Sequence, residues 1–374
     1  MNFFSILFSE FKAHFQPQKV YTVFYNVPQL ARDFYPLWWA KTPMMQSIVA
    51  KYFNVPDIKW KQVYLSFHDN VKCRLDYVEP PIPFKGVILL FHGLGGSSDS
   101  SYCRILANDF GNEYKIIVYN RRAHVPDSQS PNVPTHYDKA DLECVLDYTS
   151  QVAKGRPIYG VGFSCGANLL MRYVGESGSS CIFKKVLSCG NGWDYNHATS
   201  NVRIPYMENV LCKFANEIYA NVPGAKLNSP KTLSCGNGWD INHVVSNIIQ
   251  PFSENIVYNF ASKMYANVAG VKLNSPKSFR EQEMQLHNYE REEQLVAYYN
   301  NISAIEFIKN IRIPALCMDS YDDPIYWYHD MDSIIDINPN LSFIFTSHGG
   351  HVSWVESVWP GRKDYYSRVL KAVI

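Results

Sequence analysis

The sequence predicts an α/β protein, a mostly parallel sheet with helices on both faces and a helical cap inserted late in the chain. Three observations carry this. Short, unbroken apolar runs recur at "GVILLFHG" (Gly86–Gly93), "YKIIVYN" (Tyr114–Asn120) and "PIYGVGF" (Pro157–Phe163), as strands buried on both faces do. Between the second and third lies a stretch with helical spacing. The third run ends in Gly162-Phe163-Ser164-Cys165-Gly166 and gives way at once to a helix-like segment.

In chain order, "MNFFSILFSEFKAHF" is apolar but lacks the basic start and small-residue cleavage site of a signal peptide. Phe3, Phe4, Leu7, Phe8 and Phe11 fall near helical spacing, so residues 1–57 read as an N-terminal helical arm. Such an arm either makes a peripheral membrane contact or packs on its own domain. No run reaches the roughly 18 uncharged apolar residues that span a bilayer. Trp60–Val78 reads as two strands joined by Asp69-Asn70. After the first two apolar runs, Asp138–Val152 carries Ala140, Leu142, Val145, Leu146 and Tyr148 at helical spacing. Further strands are expected at Lys184–Cys189, Ile313–Ser320 and Leu341–His348. The core is thus assigned to residues 58–187 and 313–374, and the cap to residues 188–312. Ligands of such sheets bind at the carboxyl ends of the strands.

The cap contains a tandem duplication. "LSCGNGWDYNH…KLNSPK" (Leu187–Lys231) recurs as "LSCGNGWDINH…KLNSPK" (Leu233–Lys277), with 28 of 45 aligned positions identical. Two units are too few for a solenoid, so the segment reads as a local duplication or as two exons joined in one gene model. The strand-like "IFKKV" precedes only the first copy, which is therefore expected to continue from the sheet.

With 374 residues, 47% of them hydrophobic, the chain can bury a large core. A net charge of +1 without a basic stripe argues against nucleic acid as a partner. Nine cysteines without CxxC pairs or zinc spacing read as reduced thiols of an intracellular protein, cytoplasmic or peripherally membrane-associated.

The chemistry centres on Ser164. A serine hydroxyl needs a base, a group to orient that base, and donors for the oxyanion. Glycines at 162 and 166 suit a sharp turn that stands the serine over the sheet at a helix N-terminus, where the Cys165 amide faces developing negative charge. Cys165 is the rival nucleophile, but the glycines frame the serine. "FHGLGGSS" (Phe91–Ser98) follows the first buried strand, and the bend at His92-Gly93 lets Leu94 offer its amide to the oxyanion. The loop lacks the Gly-Lys-Ser/Thr ending of a phosphate-binding loop. His92 is expected to hold the loop rather than act as a base. Asp322 and Asp323 both end a predicted strand, where a carboxylate would fix a histidine's tautomer; Asp319 lies within that strand and reads as structural. His351, after two glycines and before an expected helix, is the candidate base, with His348 its rival. His124, His136, His197 and His243 read as surface or capping residues. The order serine, acid, histidine is that of α/β hydrolases.

The chain resembles the α/β-hydrolase superfamily, on its lipid-active esterase and phospholipase branch, which includes embryogenesis-associated proteins. The resemblance rests on "PLWWAKTPMMQSIVAKYF", "LLFHGLGGSSDSSYCR", "VYNRRAH", "GVGFSCGANLL", "SCGNGWD", "RIPALCMDSYDDPI" and "TSHGGHVSW", and runs from about residue 30 to the C-terminus. It implies an α/β-hydrolase fold and hydrolysis of carboxylic esters, among them acylglycerols, phospholipids and short-to-medium acyl esters. It also implies a triad of Ser164, Asp323 and His351, because the acid directly precedes Pro-Ile in the family. Leu94 and Cys165 would form the oxyanion hole, and neither metal nor organic cofactor is required. The chain departs from the family in having two GNGWD-type segments instead of one, no evident anchor helix, and Arg121-Arg122 where Arg-Gly is common. Aromatic cap residues Trp193, Phe214, Tyr219, Trp239, Phe252, Phe260 and Tyr265 line an acyl channel or form ordinary core. The same residues would serve acyl transfer to an alcohol, and a duplication that blocks the pocket would leave a catalytically silent binding protein.

Overall fold

The computed structural model describes residues 23–24, 33–200 and 280–374, apart from residues 82, 123, 126, 129–134, 281–282, 285–286, 324, 326–333 and 335–336. Among the described residues nine strands form one sheet: β1 (Val23–Phe24), β2 (Lys61–Ser66), β3 (Lys72–Val78), β4 (Val87–Phe91), β5 (Lys115–Tyr119), β6 (Ile158–Phe163), β7 (Lys185–Cys189), β8 (Ala315–Ser320) and β9 (Leu341–Thr346). Their spatial order is β1-β9-β8-β7-β6-β4-β5-β3-β2. The six central strands pair in parallel. At one edge β2, β3 and β5 pair antiparallel, and at the other β1 pairs antiparallel with β9. The edge strand β1 falls within the segment read as a helical arm; the amphipathic residues Phe3 to Phe11 lie outside the described residues.

The unbroken apolar runs have the physical origin expected of them. Alternate residues of a strand face opposite sides, and here both sides are covered. Leu89 and Phe91 of β4 join Ile117, Leu142, Val145, Leu170 and Phe343 in one buried cluster. Ile88 and Leu90 join Leu106, Val118, Val161, Leu316 and Val369 in the other. The first is closed by α3 (Lys139–Ala153) and α4 (Cys165–Ser177), the second by α2 (Ser101–Phe110) and α7 (Tyr365–Val373). This is the α/β-hydrolase architecture.

Helix α1 (Pro43–Tyr52) begins at Thr42, whose hydroxyl accepts the Met45 amide at 3.3 Å, with proline in the first turn. It braces the loop after β9 from the far end of the sequence. The Gln46 side chain donates to Ala40 O at 2.6 Å and accepts the Val355 amide at 3.1 Å, and Ser353 Oγ donates to Ser47 Oγ at 3.3 Å. A Cβ on Gly350 would lie 2.8 Å from Pro43 O.

The helix expected directly after His351 does not form. The chain instead makes the hairpin β10 (Val355–Ser357) and β11 (Lys363–Asp364), and helix resumes only at Tyr365. A tertiary partner takes a backbone group that a helix would have used: the Val355 amide donates to Gln46 Oε1 at 3.1 Å, while the Trp354 indole donates to Thr346 Oγ1 at 2.8 Å. The second of the tandem arginines is a strut: Arg122 forks onto Asp141 of α3 and onto Asp69 of the β2–β3 turn, and its hydrogen bond to Asp69 holds that carboxyl down at about 2.

The first duplicated copy opens inside β7 and runs through Asn191 and Trp193 into α5 (Tyr195–Ser200). The second copy, Leu233–Lys277, lies outside the described residues. After it, α6 (Glu292–Ile302) lies against α5, with Tyr195 and Tyr299 stacked at 5.8 Å and the Tyr195 amide donating to Ser303 Oγ at 3.0 Å. Among the described residues no helix is long and apolar enough to cross a membrane, and seven cysteines are free thiols.

Candidate active site

Strand β6 ends at Phe163, and Ser164 turns the chain with φ 54° and ψ −124° before α4 begins at Cys165. Such angles are costly for a residue with a Cβ, on the order of 1–3 kcal/mol, and persist only where the surroundings fix them. Here the Ser164 amide donates to Cys189 O at 2.9 Å, and its carbonyl accepts the amides of Ala167 (2.9 Å) and Asn168 (3.1 Å). The glycines have steric reasons. A Cβ on Gly166 would lie 2.2 Å from Phe91 O, and one on Gly162 2.6 Å from the Ala167 Cα. The serine is thereby held over the carboxyl edge of the sheet with 8% of its surface exposed.

Three strand ends converge there. His351, after β9, places Nε2 2.9 Å from Ser164 Oγ and Nδ1 2.7 Å from Asp323 Oδ2. Because a carboxylate only accepts, Nδ1 carries the proton to Asp323 and Nε2 is left to accept the serine hydroxyl. Asp323 follows β8 and is itself held by the Ile325 amide, which donates to its Oδ1 at 2.8 Å. The rivals occupy other positions. Asp322 Oδ1 accepts the Gly350 amide at 2.8 Å, and burial pushes its carboxyl up to about 7. His348 Nδ1 is paired with Ser347 Oγ at 2.8 Å. Asp319, inside β8, accepts the Asn191 amide at 3.0 Å; burial, with Asp323 adding like charge, pushes it up to about 8.

The glycine loop after β4 faces the same point. A Cβ on Gly93 would lie 3.1 Å from the Ser164 Cβ. The Gly93 amide donates to Tyr102 Oη at 2.9 Å, and the Tyr102 ring stacks on Phe163 at 4.2 Å. His92 is fully buried between Gly93 O, 2.8 Å from its Nδ1, and the Arg121 amide, which donates to its Nε2 at 3.3 Å. It serves the loop, as its sequence context suggests. Cys165 is the first residue of α4, where helix amides point out along the axis. Leu94 and Cys165 share one apolar cluster with Tyr195, Leu295, Tyr299 and Ile302, so α5 and α6 wall the space above the serine.

Of the two alternatives for Trp193, ordinary core holds: it is fully buried against Phe343 at 6.2 Å, within the core beneath β9. Phe214, Tyr219, Trp239, Phe252, Phe260 and Tyr265 lie outside the described residues, as does His243. Against expectation, His136 is no surface residue. It is 3% exposed, its Nε2 lies 3.2 Å from the buried Glu283 carboxylate, and its ring stacks on Tyr195 at 5.3 Å. His197 is exposed and His124 partly buried.

Sequence reasoning missed the part played by "GNGWD". Its place in residues 188–312 assigns it to the cap, yet Gly190, at φ 61°, lies under the His351 ring, where a Cβ would come 3.6 Å from the imidazole carbon between its nitrogens. The glycine beside a strand end was the available signal. No group of three or more His, Cys, Asp or Glu among the described residues could hold a metal ion.

The family described as alpha/beta hydrolase fold matches residues 86–229. Human "Phospholipase ABHD3" is 22% identical over 368 residues, covering 93% of this chain and 80% of its own length. "Monoacylglycerol lipase" of Saccharomyces cerevisiae is 26% identical over 311 residues, 80% of this chain and 62% of its own. The solved Pyrococcus furiosus esterase Pf2001 superposes with a TM-score of 0.50 at 14% identity over 86% of this chain and 97% of its own, a likeness of fold. These matches support an α/β-hydrolase fold and a likeness to lipid esterases and phospholipases that carry it.

Proposed function

We propose that the protein is a serine hydrolase that cleaves carboxylic esters of lipids through an acyl-enzyme. The observation that carries this is the hydrogen-bonded line from Ser164 Oγ through His351 to Asp323, at 2.9 and 2.7 Å, on three strand ends that the sequence separates by 187 and 28 residues. Its lipid character is supported by relatives named as a phospholipase and a monoacylglycerol lipase, and by the apolar wall of Leu94, Tyr195, Leu295 and Tyr299.

In this reading His351 Nε2 takes the Ser164 proton as Oγ attacks the ester carbonyl, and Asp323 steadies the imidazolium. The Leu94 and Cys165 amides receive the oxyanion, where removal of one donor typically costs about 3–4 kcal/mol. His351 then hands its proton to the departing alcohol. Water, activated by the same imidazole, releases the acyl group and restores the serine. The steps balance without a metal or organic cofactor. Within residues 188–312, the helices α5 and α6 act as the cap over the acyl site. The partner is a lipid or acyl ester, met in solution or at a membrane that the N-terminal arm touches.

A serine-reactive fluorophosphonate probe, followed by a screen of acylglycerols, phospholipids and p-nitrophenyl esters, tests the proposal. Wild-type protein should label and hydrolyse, and Ser164→Ala should do neither. A folded wild type that resists the probe and leaves every ester intact would mark it as a silent member of the fold.

A further inference from the structure

The Gly93–Leu94 peptide offers its N–H, on Leu94, as one of the two proposed oxyanion donors. Its carbonyl, on Gly93, has unusual company. His92 Nδ1 lies 2.8 Å from Gly93 O, Arg121 Nη2 donates to it at 3.4 Å, and the Gly96 amide at 3.1 Å. Because Arg121 N–H donates to His92 Nε2, the proton of the ring sits on Nδ1 and points at the carbonyl.

Arg121 stands apart from its neighbour Arg122. The Arg122 guanidinium is neutralised by Asp69 and Asp141, whereas Arg121, only 6% exposed, has no carboxylate in ion-pair contact among the described residues. Besides Gly93 O, its Nη2 contacts His124 Nε2 at 3.3 Å, and its Nε is buried without a hydrogen bond. Both imidazoles beside it are neutral: burial, and then the guanidinium, push His92 down to about 3 and His124 well below the ordinary range. Burying a cation without a carboxylate partner is expensive, and none pairs with Arg121 among the described residues. Within the site it has a use. A donor on a peptide oxygen draws electrons through the amide and makes its N–H more positive.

From this juxtaposition we infer that Arg121 and His92 are positioning residues of the oxyanion hole, holding and polarising the Gly93–Leu94 peptide through its carbonyl so that the Leu94 amide binds the tetrahedral oxyanion more strongly than an ordinary backbone amide. The inference rests on the serine-hydrolase reading and extends it to a second layer. A charge acting through one peptide is felt when the oxyanion forms and hardly at all by the bound ester, so its signature falls on kcat and leaves KM in place.

The test compares wild type, Arg121→Gln, Arg121→Lys and His92→Gln on p-nitrophenyl butyrate, with thermal unfolding to establish folding and the Leu94 amide resonance read in 15N-labelled protein. Arg121→Gln should lower kcat about 10-fold, a fraction of the loss from deleting a donor outright, with KM within about twofold. Arg121→Lys should recover part of the rate, His92→Gln should fall with Arg121→Gln, and the Leu94 amide proton should move upfield in step. Folded Arg121→Gln with wild-type kcat and an unmoved Leu94 resonance overturns the inference while the hydrolase reading stands. A loss shared equally by kcat and KM, unrelieved by lysine, overturns it too, as the mark of a scaffold residue. Should Arg121→Gln not fold, Arg121→Lys decides alone, by the same kcat and resonance criteria. A wild type without activity or fluorophosphonate labelling removes both readings together.

Discussion

Asp322 and Asp323 are consecutive, yet they hold two adjacent points of one loop: Asp322 Oδ1 accepts the Gly350 amide at 2.8 Å, and Asp323 Oδ2 lies 2.7 Å from His351 Nδ1. One carboxylate fixes the backbone before the imidazole and the other fixes the imidazole itself. Replacing them should therefore give unequal results. Asp323→Asn reverses the hydrogen bond that selects the tautomer and should lower kcat by about 10³- to 10⁴-fold. Asp322→Asn keeps an acceptor for the Gly350 amide and should cost less than about 10-fold. Steady-state hydrolysis of a soluble ester checks this, and comparable losses in the two variants would refute the division.

Gly166 is the steric keystone of the turn. A methyl group there would sit 2.2 Å from Phe91 O and 2.5 Å from His92 O, and neither backbone atom can swing aside. Gly166→Ala should destabilise the protein by on the order of 1–3 kcal/mol or prevent folding, and any folded fraction should label poorly with fluorophosphonate. Gly361→Ala, where a methyl group meets nothing within 4 Å, is the matched control and should be near neutral. Denaturant unfolding monitored by tryptophan fluorescence reads both.

Burial pushes the Asp319 carboxyl up to about 8, far above the value of about 4 expected in the unfolded chain. The folded state thus binds this proton more tightly than the unfolded state, and its contribution to stability is present below about pH 4 and lost as pH rises toward 8. Asp319→Asn should flatten this slope, leaving the variant relatively more stable than wild type at pH 8 than at pH 5. Urea midpoints at the two pH values provide the measurement. A wild-type curve parallel to that of the variant would show that Asp319 is ionised throughout.

Much of the fold can be read directly from the residues, because strands buried on both faces leave unbroken apolar runs, and Gly162, Ser164 and Gly166 mark a turn that few other residues can make. What was hidden depends on side-chain direction or on distant partners. The spacing "YDDPI" gives both aspartates the same environment, and only the turn after β8 aims one at the ring and the other at the backbone. The pairing of His136 with Glu283 joins residues 147 apart, and periodicity cannot report such a meeting. The helix expected after His351 failed for the same reason. "SWVES" suits either a helix or a hairpin, and Gln46, 309 positions away, takes the Val355 amide in the hairpin.

The duplicated segment yields a prediction of its own. Its first copy supplies the end of β7, Gly190 beneath His351 and the Asn191 amide on Asp319. Excising residues 232–277 joins Lys231 to Ser278 and recreates the same "NSPKSF" junction that the second copy makes. The shortened protein should fold, label with fluorophosphonate and hydrolyse soluble esters within about tenfold of the full chain, the range of a change in the cap and not in the triad. Loss of folding on excision would show that the second copy carries structure the first cannot replace.

Helix α1 bonds across 309 positions of sequence to the strand that follows the histidine loop. Strain introduced near residue 46 therefore has a short mechanical route to the imidazole: Gln46 grips Val355, Ser47 meets Ser353, and Pro43 lies against Gly350. Whatever tugs on the chain near residue 46, be it a tether, a protease nick or an adhering surface, pulls through these same contacts on the His351 ring.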